Sequence, residues 1–79
     1  MKTATIHPTS DIFRVNDLPC RLWEGTTETG VEVFMLIPVV ACLDEQAETF
    51  REMFEDMPEG SERAHENLNF VSSLEKRKE

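Results

Sequence analysis

Apolar residues follow two rhythms along this chain, and the change falls at Leu43. Upstream, β-branched and aromatic residues dominate. Ile12 to Val15 is a short apolar run, Asn16-Asp17 is a turn-forming pair, and Leu18-Pro19-Cys20-Arg21-Leu22-Trp23 follows. This order predicts two strands joined by a tight turn. Gly25 to Gly30 reads as a second turn with glycine at each end, and Val31 to Val40 is the longest apolar run in the protein. A three-stranded antiparallel meander over residues 11–42 results, preceded by a flexible segment at residues 1–10. Pro19 and Pro38 have no N–H to give a ladder, so each belongs at a strand end or on an outward-facing edge.

Pairing the second and third strands with Thr26 opposite Val31 puts Leu22 near Met35, Cys20 near Ile37 and Trp23 near Phe34. One face then carries Cys20, Leu22, Val33, Met35 and Ile37; the other carries Arg21, Trp23, Phe34 and Leu36 with Glu32. Both faces are partly apolar. Helices are expected on one, leaving the Trp23, Phe34 and Leu36 side for the N-terminal residues Thr3 to Pro8, for a partner, or for a second copy in a homodimer.

Beyond Leu43 the spacing becomes helical. Leu43, Ala47, Phe50, Phe54 and Met57 recur at intervals of four, three, four and three, an apolar stripe that predicts an amphipathic helix over 43–57. Asp44 is its expected N-cap, and Pro58 stops it near Asp56 or Met57. Phe50 and Phe54 are expected to bury against Leu22, Met35 or their neighbours. Ser61 then suits the N-cap of a second helix over 61–75, carried by Ala64, Leu68 and Val71. Asn67, Asn69, Ser72 and Ser73 are poor helix formers, so residues 67–74 read equally as an edge strand. A charged tail occupies 76–79. The expected fold is a single α+β domain, a three-stranded antiparallel β-meander followed by one or two α-helices.

Charge narrows what such a domain does. The 79 residues hold 16 acids and 8 Lys or Arg, a net charge of −8, so phosphate backbones and anionic membranes repel the chain. No apolar stretch approaches the roughly 20 residues of a membrane span, and the N-terminus lacks the apolar core of a secretion signal, which places the protein in the cytoplasm. Cys20 and Cys42 form no C-x-x-C pair and read as reduced, buried, small hydrophobes. With only His7 and His65 as bases, neither cysteine has a natural catalytic companion, and the four residues contain none of the close ligand pairs that nucleate zinc sites. The expectation is a protein without enzymatic activity, metal or cofactor.

The acidity is concentrated. Between Asp44 and Glu66 lie nine acids and two bases. Glu45, Glu48, Glu52 and Glu55 are spaced three, four and three, so they project from one side of the first helix, opposite its apolar stripe. The row reads either as a solvated face that keeps a small protein soluble or as a line of carboxylates that imitates phosphates for a basic groove. Under the second reading Glu45, Glu48, Glu52, Glu55 and Asp56 are the candidate contact residues. Arg21, Trp23 and Phe34 on the sheet form a second candidate patch, with Trp23 and Phe34 either a cross-strand packing pair or an anchor for a partner.

The stretch Arg21-Leu22-Trp23-Glu24-Gly25, its Thr/Glu turn, and the Gly30-Val31-Glu32-Val33 return strand resemble small proteins carried by phages and prophages. The resemblance covers about a third of the chain and has no chemistry in its motif. Small, acidic, phage-borne domains of this type are similar to inhibitors of host defence, anti-CRISPR proteins above all. This implies a partner with a basic surface, a host protein or protein–RNA complex, met without direct nucleic-acid contact. The competing expectation is a phage interaction or assembly module that self-associates through its apolar sheet face.

Overall fold

A computed structural model describes residues 2–69 of the chain. The expected helix beyond that point, the helix-or-strand alternative over 70–74 and the tail at 76–79 lie outside the described residues. Three antiparallel strands, β1 (Ala4–Val15), β2 (Leu18–Thr27) and β3 (Glu32–Ile37), form one sheet in the order β1-β2-β3. The helical elements follow, so the α+β meander expected from the two rhythms is the observed architecture.

Asn16 and Asp17 turn the chain between β1 and β2 with φ of 52° and 70°. This is the doubly left-handed two-residue turn whose twist matches a hairpin and which Asn and Asp tolerate best. β1 begins well before Ile12. Ala4 to Pro8 pair with Thr27 to Trp23, so the segment expected to be flexible, or to lie over the sheet, is instead the first half of an edge strand. Between Pro8 and Ile12 the register slips, and Thr9, Ser10 and Asp11 stand opposite Leu22 alone. The bulge is held from inside: the buried Thr9 hydroxyl donates to the Leu22 carbonyl at 2.9 Å and accepts from the Asp11 N–H at 3.3 Å.

The second turn is shorter than expected, and that changes the faces. Glu28, Thr29 and Gly30 form a three-residue loop in which the Gly30 N–H donates to Thr27 O at 3.0 Å. Gly30 takes a φ of 90° that a side chain would resist. Gly25 lies inside β2, opposite Val33. The register is therefore Leu22↔Leu36, Trp23↔Met35 and Glu24↔Phe34, one residue away from the expected one. A slip of one moves every β3 side chain to the other face. Cys20, Leu22, Phe34 and Leu36 share one face; Arg21, Trp23, Val33, Met35 and Ile37 share the other. Trp23 and Phe34 are consequently not a cross-strand pair, and Arg21, Trp23 and Phe34 do not form one patch.

Each face has its own helical cover. On the Leu22 face, α2 (Glu62–Asn67) brings Ala64, with Leu68 just beyond it, onto Phe13 and Leu22. Leu22 and Ala64 are completely buried, with Val15, Phe34 and Leu36 around them. On the Trp23 face lies the acidic helical segment. It is a 3₁₀ turn (Asp44–Gln46), a short α1 (Ala47–Arg51) and a second 3₁₀ turn (Glu52–Phe54), not one α-helix to residue 57. It ends because Glu55 is extended and Asp56 is left-handed at φ 55°. Leu43, not Asp44, occupies its N-cap position, with no side-chain cap; Asp44 sits in the first turn. The chain passes from one face to the other beside the β1 bulge, where the Ser10 N–H donates to Pro58 O at 2.9 Å.

Candidate protein-binding surface

The acidic segment rests on the sheet through two rings. Phe54 stands edge-on to Trp23 with centroids 5.9 Å apart, and Phe50 stands edge-on to Phe54 at 5.3 Å. Phe50 reaches neither Leu22, which lies on the opposite face, nor the deep core; it stays half-buried, as does Phe54. No residue of the segment is fully buried. Trp23, only 6% exposed, is a packing residue under Phe54 and offers no anchor to a partner. Arg21 is also committed. Its Nη1 donates to Thr9 O at 2.9 Å and contacts Met57 Sδ at 3.5 Å, and its guanidinium lies 5.6 Å from the centre of the Phe54 ring. Such a stacked arginine ties bulge, sheet and segment together. Beside it, Ile12, Ile37 and Val40 help line an open groove of about 190 Å³. Phe34 is half-buried on the α2 face.

The carboxylates behave differently. Glu45, Glu48, Glu52, Glu55 and Asp56 are all exposed. Among the described residues none of the five side chains has an ion-pair or hydrogen-bond partner. The single helical face expected from their spacing is not formed: Glu48 stands on α1, Glu45 and Glu52 in the flanking 3₁₀ turns, and Glu55 and Asp56 follow in extended and left-handed backbone, so the five share exposure rather than one face. Exposed carboxylates supply negative charge and hydrogen-bond acceptors to the surface.

Other acids are spent on structure, and sequence reasoning missed them. Glu24, on β2, accepts from the Ser61 N–H at 2.8 Å and from the Ser61 hydroxyl at 2.7 Å. That hydroxyl in turn accepts from the Ala64 N–H at 3.1 Å, so the expected cap is present and is itself held by a strand residue 37 positions earlier. Asp11 Oδ2 meets His65 Nε2 at 2.5 Å, joining the bulge to α2, and Arg63 pairs with Glu32 at 3.2 Å. No local pattern around Glu24 or Asp11 announces these long-range contacts.

Cys20 is buried and Cys42 is exposed, both as free thiols, so only the first fits the expected buried role. Among the described residues no three His, Cys, Asp or Glu side chains group as metal ligands, and no helix is long and apolar enough to cross a membrane. No protein-family model, curated protein or solved structure matches the chain.

Proposed function

We propose that this protein acts without catalysis, by laying its acidic helical segment into a basic surface of another protein. The unpartnered row Glu45, Glu48, Glu52 and Glu55, continued by Asp56, supports this reading. A basic surface that binds nucleic acid favours clustered negative charge, and exposed carboxylates drawn together along one short segment supply it. Together with the small size, the net charge of −8 and the phage-like hairpin, this makes a phage-type inhibitor of a host nucleic-acid-binding effector, such as a CRISPR surveillance complex in the host cytoplasm, the best reading. Arg21, Trp23 and Phe34 leave the contact set, since the first two pack under Phe54 and the third belongs to the α2 face. Self-association through an open face around Trp23, Phe34 and Leu36 loses its surface for the same reason.

The test is binding to purified CRISPR surveillance complexes. Reversal of two carboxylates, E48K with E52K, is expected to abolish most of the binding while the protein stays folded. Added DNA should compete, and rising salt should weaken the contact, because exposed charges are screened beyond roughly 8 Å at physiological ionic strength. Undiminished binding by the doubly reversed protein would overturn the proposal.

A further inference from the structure

The two edges of the sheet are built unlike each other. β1 is interrupted midway: its bulge at Thr9, Ser10 and Asp11 breaks the ladder, Pro8 lacks a donor, and Pro58 O takes the Ser10 N–H. Bulges, prolines and covering chain are the devices that keep sheet edges from pairing with other molecules. β3 has none of them between Glu32 and Ile37, and among the described residues nothing pairs with its outer side.

The direction of its backbone groups follows from the ladder. The Thr27 N–H donates to Val31 O at 2.9 Å, and the pairing continues without a slip to Arg21↔Ile37. Val33, Met35 and Ile37 therefore turn their N–H and C=O groups toward β2, whereas Glu32, Phe34 and Leu36 turn theirs outward.

We infer that a second copy of this chain adds at this edge, antiparallel, about a two-fold axis at Phe34. That register uses all three outward residues on each side: Phe34 pairs with its counterpart and Glu32 with Leu36, for six backbone hydrogen bonds. The intervening positions then match as Val33 against Met35 and Val31 against Ile37. Each is an apolar pair, and together they cover Met35 and Val31, which are 39% and 57% exposed in the single chain. The single charge of the strand, Glu32, lies at its end, so the dyad sets the two copies of Glu32 at opposite ends of the ladder. A self-matching strand is what an isologous interface requires. The contact is made by the backbone at the edge of the sheet, with the Glu32, Phe34 and Leu36 side chains on the face that α2 covers, and the acidic segment lies over the other face.

Sedimentation from micromolar to millimolar concentration, combined with amide exchange, tests this. The mass should double from 9.1 kDa, and exchange at Glu32, Phe34 and Leu36 should slow as the dimer fills, while Val33 and Met35 are protected throughout. E32P removes one outward donor without touching the β2 ladder, and E32A, which loses the same exposed pair with Arg63 but keeps the donor, is its control; E32P should shift the midpoint of dimerisation to higher concentration than E32A does, with the two monomers melting alike. A monomer at millimolar concentration overturns the inference. So does a dimer in which the Glu32, Phe34 and Leu36 amides exchange freely, and so does protection of those amides in a monomer.

Discussion

The two faces of the sheet receive covers of opposite character. The acidic segment is the longer of the two, with the clearer apolar stripe in sequence, yet none of its residues is fully buried. α2 has only six residues, and its Ala64 is completely enclosed with Leu22. The difference lies in how each is fixed. α2 is clamped by the Glu24 carboxylate through Ser61 and by Asp11 through His65, so a small residue can be pressed flat on the sheet. The acidic segment has no side-chain cap and leans on the Phe54 ring. Burial depth follows from anchoring and residue size more than from the regularity of an amphipathic pattern.

If that contrast is right, the largest loss of stability comes from the α2 face. Leu22→Ala is expected to cost about 2–5 kcal/mol, the range for emptying a closed apolar site. In a domain this small that is a large fraction of the total stability, and a chemical-denaturation curve would show it. Phe54→Ala deletes more atoms but from a half-buried site, so its cost should fall to about 1–3 kcal/mol, below that of Leu22→Ala. A larger loss for Phe54 would reverse the comparison. Ser61→Ala removes the cap and should cost about 1 kcal/mol, with amide exchange accelerating in α2 and not in the acidic segment. The smallest effect belongs to E48K with E52K, expected to move stability by less than about 0.5 kcal/mol per site because both side chains are exposed and unpartnered. A large destabilisation there would mean the carboxylates hold the segment in place.

The meander, the Asn16-Asp17 turn and the Ser61 cap were legible because each depends on residues adjacent in sequence. The β2–β3 register was not. A loop of three residues and one of four differ by a single position, and Gly25 mimics a turn glycine while lying within a strand. The early part of β1 was hidden by Pro8 and by the polar run around Thr9, which serve the bulge. Of the candidate site, the exposure of the carboxylates was readable from their charge, whereas their alignment on one helical face was not, because the segment divides into a short helix between two 3₁₀ turns and ends before Glu55. The roles of Arg21, Trp23 and Phe34 turned on the register and were lost with it, and Glu24 was invisible because its partner lies 37 residues away.

The passage of the chain over the β1 bulge has a consequence for valence. A sheet that is open at both sides can recruit neighbours endlessly, which is how fibres grow. Here one side is interrupted at the bulge, where the molecule's own backbone occupies the Ser10 N–H, so among the described residues only β3 offers an unbroken edge. A copy that joins β3 leaves only bulged β1 edges at the two ends of the pair, and further growth by edge pairing meets that interruption at each end.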